Sequence, residues 1–273
     1  MVAIIMILYV QLKEKLYKMI ILFSGKAQSG KDTTAKIFQF LLNDDIKKLK
    51  HSTNLYYDIL LKDFIESCLK NNTDINNFLI KNNILSNKYE IVKYAGKLKQ
   101  SIQLKFPLYF NIDKWEENKN NYRDEILPEL NMSRRKILLL EGTEVCRSVH
   151  EDYWCIATFN EYNINKNWFI TDTRFENEFN YPDKYENVYK IRVKKHFGSR
   201  FPKWKQYQDD KNPYNYKSII KDNITEAEYL TLIHSSETSL DDLEGRFSDV
   251  IENNDGFIQL IEKCENIIRK LNL

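Results

Sequence analysis

The stretch FSGKAQSGKDTTAK, residues 23–36, decides the fold. Gly25, Gly30 and Lys31 meet the spacing G-x-x-x-x-G-K. That spacing belongs to a loop whose backbone N–H groups cradle phosphates while the lysine reaches the β- and γ-phosphates. In the usual form a Ser or Thr comes next, and its hydroxyl ligates Mg²⁺. Here Asp32 stands in that place and Thr33 follows. Upstream, residues 19–23 are a short apolar run that reads as a strand. Downstream, Ala35, Phe38, Leu41 and Leu42 recur at helical spacing. Strand, glycine loop and helix together are the context a phosphate cradle requires, and the helix dipole adds to its pull on an anion. The bland alternative is a Gly-Lys turn without a ligand.

The chain has 273 residues, enough for one large domain with its own core. Hydrophobic residues make up 42% and charged residues 29%, an ordinary globular balance. A net charge of +2 gives no global electrostatic case for a nucleic-acid coat or a membrane-surface protein. Cys68, Cys146, Cys155 and Cys264 form no C-x-x-C pair, which argues against zinc and fits a reducing, cytoplasmic compartment. Glycine is scarce, seven in all, so the two in the loop stand out. The apolar run at residues 2–10 is too short to span a bilayer, and no signal-peptide pattern surrounds it. Residues 1–18 read as an extension before a single domain at 19–273, or as a short surface helix.

Strand-like and helix-like segments alternate along the chain. This predicts an α/β fold with a mainly parallel sheet flanked by helices. Residues 168–171 and 188–193 read as strands. So does FSDVIENNDG, with a turn. Residues 257–271 read as a final helix with Ile258, Ile261, Cys264, Ile268 and Leu271 on one face. The segment 43–88 is rich in Asn and Lys, with helical patches and no assigned role. WEENKNNYRDEILPELN reads as a loop or a loose helix.

Three further constellations could carry chemistry. In RRKILLLEGTE, Ser133 precedes as a helix cap, and Gly142 interrupts a strong helix former at a cost of about 1 kcal/mol. The expected gain is a helix break that admits a ligand, with Thr143 restarting the helix and Arg134 and Arg135 two turns earlier. A packing contact at Gly142 is an equally good reading. In ITDTRFENE, Asp172 ends a buried strand, with Arg174 and Glu178 just beyond. Ligands gather at the carboxyl ends of parallel strands, but an Asp there is often only a cap. The third is a basic insertion at about 194–224. It interleaves Lys194, Lys195, Arg200, Lys203 and Lys205 with Phe197, Phe201 and Trp204. It could stack on bases, close over ATP as a lid, or be a solvated surface. The four histidines are isolated.

Taken in order, FSGKAQSGKDTTA, KYAGKLK, RRKILLLEGTE with DYWCIATF, ITDTRFENE, HSSE and SDVIENNDG resemble the deoxynucleoside monophosphate kinases of large DNA phages and viruses. The resemblance covers most of the chain except residues 1–18, about 195–224 and the stretch 40–88. It implies a P-loop fold and transfer of the γ-phosphoryl group of ATP, with Mg²⁺, to a deoxynucleoside monophosphate. It further implies that Gly25, Ser29, Gly30, Lys31, Asp32, Thr33 and Thr34 bind ATP, with Asp32 facing the metal. Leu98, Lys99, Arg123, Arg135, Gly142, Thr143, Trp154, Asp172, Arg174 and Glu178 would meet the acceptor. Lys31, Arg135 and Arg174 would supply positive charge to the transferred group. Trp154 would stack on the base or wall the sugar. No membrane or nucleic-acid partner is implied, and a homodimer is left open. The rivals are another small-molecule kinase such as a dephospho-coenzyme A kinase, a nucleic-acid-linked P-loop ATPase, and a non-catalytic nucleotide-binding module.

Overall fold

Strand β1 (Ile20–Ser24) is buried at every position. Ile21 and Phe23 face one apolar layer, and Ile20 and Leu22 face another. A strand buried on both faces belongs to a parallel sheet covered by helices on each side. The computed structural model bears this out. It describes residues 19–51, 55–70, 72–84, 89–117, 122–163, 166–185, 187–196 and 235–273. Residues 1–18 and the basic insertion beyond His196 lie outside the described residues.

The sheet holds β2 (Tyr89–Val92), β5 (Asn167–Thr173), β1, β6 (Val188–Lys194) and β7 (Asp249–Glu252), in that spatial order and all parallel. β1 comes first in the chain and lies in the middle. The chain builds β2 and β5 on one side of it, then β6 and β7 on the other. The order therefore reverses at β1, and a crevice opens beyond its carboxyl end, where open α/β sheets bind ligands.

Around the sheet run α1 (Lys31–Leu41), α2 (Asp44–His51), α3 (Leu55–Lys70), α4 (Asn72–Lys81), α5 (Tyr94–Lys105) and α6 (Ile112–Glu117). There follow a small hairpin of β3 (Ile126–Leu127) and β4 (Met132–Ser133), then α7 (Arg134–Leu139), α8 (Cys146–Val149), α9 (Tyr153–Phe159), α10 (Glu176–Asn180), α11 (Ser235–Thr238) and α12 (Phe257–Lys270). One face of the sheet is packed by α1, α12 and the α2–α4 segment, with Phe23, Phe38 and Phe169 meeting edge to face at 5.3–6.2 Å. On the other face Tyr94 of α5 and Cys155 and Phe159 of α9 cover Trp168 and Ile170. A third cluster, formed by Leu98, Ile102, Phe110, Trp115, Cys146 and Trp154, makes up a helical lobe that shares α5 and α9 with that layer. All four cysteines are free. Among the described residues no helix is long and apolar enough to cross a membrane.

Four expectations are corrected. The helix through Gly142 does not break; Leu140–Val145 form a π-helical turn that continues α7 into α8. The wider turn absorbs the glycine, so Thr143 lies inside it and caps nothing, whereas Ser133 does cap α7 by accepting from Lys136 N at 3.2 Å. β5 runs one residue further than expected, to Thr173, so Asp172 is its penultimate residue. Ile258 is 60% exposed, and the buried face of α12 is Leu260, Ile261, Cys264, Ile267 and Ile268. At about 100° per residue, Ile258 falls roughly 120° away from the centre of that face. The polar stretch after Trp115 carries the β3–β4 hairpin, anchored by buried Leu127.

Candidate active site

The loop after β1 is built as a cradle. Gly30 has φ +93° and Gln28 φ +63°, so the chain turns sharply before entering α1. A Cβ on Gly25 would collide with Ser29 Oγ and Val193 O. A Cβ on Gly30 would strike the Asn253 side chain, which also donates to Ser29 O at 3.0 Å. Gly30 offers α1 no side-chain cap. The first N–H groups of a helix have no intrahelical acceptor, and such an end favours an anion. Ser29 Oγ is buried without a hydrogen-bond partner, as is Thr173 Oγ1 across the crevice. Orphaned buried hydroxyls beside a helix N-terminus fit a phosphate. Lys31 is 7% exposed, and burial, reinforced by the Arg174 charge, lowers its pKa. Thr34 Oγ1 is already engaged, donating to Gly30 O at 2.9 Å.

Cations converge on this loop from the neighbouring strands. Arg174 follows β5 and pairs with Glu237. Arg192, near the end of β6 and 7% exposed, donates to Ser24 Oγ and to Asp241, each at 3.0 Å. Lys26 of the loop also pairs with Asp241, at 2.7 Å. Glu237 accepts from Ala27 N at 2.7 Å with its other oxygen. Burial pushes the Glu237 carboxyl up, but Arg174 and the Ala27 amide outweigh it and hold the group below its ordinary value.

Asp32 sits one residue into α1. Its Oδ1 accepts from Lys93 Nζ at 3.0 Å and Thr171 Oγ1 at 3.2 Å. Burial pushes this carboxyl up; Lys93 and Lys31 overcome it, and the net pKa is lowered. A hard, ionised, partly exposed oxygen donor beside the loop lysine is the type Mg²⁺ takes, so Asp32 fits the metal. Asp172 has a different partner. The β1–β5 register slips between Leu22 and Ser24, leaving an extra residue in β5. Such a bulge re-aims side chains. The Asp172 carboxylate accepts Tyr94 N and Ala95 N, both at 2.9 Å, and so holds the first turn of α5. Burial raises its pKa against the pull of those amides and Lys93.

The remaining predicted residues divide between the lobe and the floor below it. Gly142 lies against Leu98, where an added Cβ would come within 2.7 Å of Leu98 Cδ2. Trp154 is 4% exposed and donates Nε1 to Gly142 O at 3.0 Å, so its ring packs in the lobe's core. Arg123 donates to Trp115 O and lies over the Trp115 ring, which Lys99 also approaches at 5.9 Å. Arg135 is 55% exposed and makes a two-pronged pair with Asp124. Glu178 is buried. Its Oε2 accepts from Arg174 N and Phe175 N, and its Oε1 pairs with Arg147 at 2.5 Å.

The structure thus gathers Gly25, Ser29, Gly30, Lys31, Asp32 and Arg174 at one crevice, and places Leu98, Lys99, Arg123, Arg135, Gly142, Thr143 and Trp154 in the helical lobe. Sequence reasoning missed Lys26, Lys93, Arg192, Glu237, Asp241 and Asn253. Four of these lay inside quoted motifs, Lys26 in FSGKAQSGKDTTAK, Lys93 in KYAGKLK, Glu237 in HSSE and Asn253 in SDVIENNDG. For Lys26, Lys93, Arg192 and Asn253 a charged or amide side chain at or near a strand end was the signal available; Glu237 and Asp241 offered none.

No family model and no curated protein matches the chain. Among solved structures, a dephospho-CoA kinase from Campylobacter jejuni is similar at 13% identity and a TM-score of 0.41, over 92% of this chain and 96% of that one. So distant a likeness has no bearing on substrate.

Proposed function

We propose that the chain is an ATP- and Mg²⁺-dependent phosphotransferase acting on a deoxynucleoside monophosphate, of the kind found in large DNA phages and viruses. The observation that carries this reading is the loop itself. A left-handed Gly30, a Gly25 with no room for a Cβ and an orphaned Ser29 hydroxyl sit at the open end of α1, with Lys31 and Arg174 beside them. The motifs that resemble those kinases supply the acceptor. In phosphoryl transfer the protein contributes mainly alignment and charge neutralisation. The loop amides and Lys31 would hold the donor phosphates. Mg²⁺, when bound, would neutralise charge on those phosphates. Arg174 lies beside the loop, where it could steady the moving group. The lobe would hold the acceptor with Arg135 and Arg123, as the resemblance implies, and its burial of Trp154 gives the acceptor side a rigid wall.

The test is a coupled ADP-release assay with ATP, Mg²⁺ and a panel of dNMPs, NMPs and dephospho-coenzyme A. Turnover with one or more dNMPs well above the ATP-only rate supports the proposal. Turnover only with dephospho-coenzyme A, or only on adding DNA, overturns it.

A further inference from the structure

Two carboxylates, Glu237 in α11 and Asp241 just after it, repeat one arrangement. Each joins a group of the loop to an arginine from a neighbouring strand. Glu237 joins Ala27 N–H to Arg174, after β5. Asp241 joins Lys26 to Arg192, on β6. Both arginines and both loop groups stand at the carboxyl ends of the three central strands. Without these anions, Lys26, Arg174 and Arg192 would face one another across a small crevice lined also by Ser24, Gly25, Thr173 and Leu240. Like charges so placed repel, and the Arg174 charge already contributes to lowering the Lys31 pKa. The Glu237 side chain is only 9% exposed, so its position is fixed by packing as well as by charge.

We infer that Glu237 is a positioning residue, whose carboxylate fixes the Arg174 guanidinium relative to the phosphate loop, with Asp241 doing the same for Arg192. This rests on the phosphotransferase reading above. An arginine that stabilises a transferring group helps only if it is already aimed, because aiming it during the reaction would cost reorganisation. The bridge geometry supplies that aim. One carboxylate oxygen takes the loop amide and the other takes the guanidinium, so loop and arginine move together. The rival is that Glu237 stands in for a phosphate and must leave before ATP enters. The two differ in sign. A positioning residue raises kcat and leaves nucleotide binding nearly alone, whereas a stand-in weakens binding.

The experiment compares wild type, Glu237→Gln and Glu237→Asp in the full chain, with Glu237→Ala added for amide exchange. Gln keeps the size but loses the ion pair; Asp keeps the charge but is one methylene too short to bridge. The expected result for Gln is a kcat lower by about 10- to 100-fold with KM for ATP within about threefold. Asp is expected to recover part of that loss. Calorimetric binding of inorganic tripolyphosphate is expected to stay within about threefold for both variants. Exchange of the Ala27 amide with solvent, read by NMR, is expected to be at least about tenfold faster in Glu237→Ala than in wild type. Unchanged kcat in Glu237→Gln, or tripolyphosphate binding tightened more than about tenfold, overturns the inference. If wild type itself transfers no phosphoryl group to any acceptor, the functional reading fails instead, and the amide exchange and tripolyphosphate binding still decide whether Glu237 is a fixed bridge or a stand-in.

Discussion

Lys93 Nζ lies 3.0 Å from Asp32 Oδ1. The residue that replaces the usual hydroxyl of the loop is therefore held by a cation from the end of β2, two strands away. Thr171 of β5 supplies the third member, so the carboxyl ends of β1, β5 and β2 meet at this carboxylate. The pairing would let a carboxylate be tolerated beside the proposed phosphate site. Lys93 and Lys31 balance its charge before any metal arrives, and they keep it ionised below the ordinary carboxylate range.

Asp32→Asn should therefore raise the free Mg²⁺ needed for half-maximal activity several-fold and lower kcat. Stability should change by no more than about 1 kcal/mol, because both partners are partly exposed and a solvent-screened pair is worth little. What the pair does contribute is present above the ordinary carboxylate pKa and is lost as pH falls through the lowered value. Titrating kcat/KM for ATP against Mg²⁺ checks the first point. An unchanged Mg²⁺ profile would place the metal elsewhere.

Glu178 predicts a pH dependence of the opposite sense. Burial, with the Asp172 charge, pushes its carboxyl up to about 7 against the pull of Arg147 and two amides. A carboxyl with a raised native pKa binds more protons folded than unfolded, so stability falls as pH rises from its ordinary value of 4.5 to about 7. Glu178→Gln should flatten the stability–pH curve in that window, whatever it costs through the loss of the Arg147 pair. Urea midpoints at pH 4.5, 6 and 7.5 for both proteins measure it. Parallel curves would show that folding leaves the Glu178 pKa unshifted.

Gly142→Ala should destabilise the lobe by about 1 kcal/mol through overpacking, since the new methyl would meet Leu98 Cδ2 at 2.7 Å. In a Leu98→Ala background the clash is gone, and alanine is the better helix former by up to about 1 kcal/mol. The same substitution should then be neutral or stabilising. A double-mutant cycle by urea unfolding tests this coupling, and additive effects would separate Gly142 from Leu98.

Much of this was legible in the chain. The loop spacing, the apolar runs at β1, β5 and β6, and the period of α1 follow from local pattern. Local pattern fails where a residue's meaning depends on a distant partner. Asp172 looks like a ligand or a strand-end cap, and only the bulge in β5 shows it reaching α5. Gly142 promises a helix break, and only the packing of Leu98 shows why a π-turn serves instead. Glu237 and Asp241 carry no spacing signal at all, because they reach the loop across more than two hundred residues of sequence. Ile258 misleads for a simpler reason: three-residue spacing shared with Ile261 fits two adjacent faces of one helix.

The central claim is that the loop holds a nucleoside triphosphate and passes its terminal phosphoryl group to a deoxynucleoside monophosphate. The most direct measurement follows the label from γ-labelled ATP into product, resolved by chromatography, for wild type and Lys31→Ala with each common dNMP. Lys31 is buried at the loop but lies outside the apolar clusters, so Lys31→Ala should keep its circular dichroism spectrum while losing at least about a thousandfold in transfer, on the scale of removing a principal charge from a phosphoryl-transfer site. Labelled deoxynucleoside diphosphate from wild type and almost none from Lys31→Ala is the predicted result. Label appearing only as inorganic phosphate, or Lys31→Ala transferring at the wild-type rate, would contradict the account.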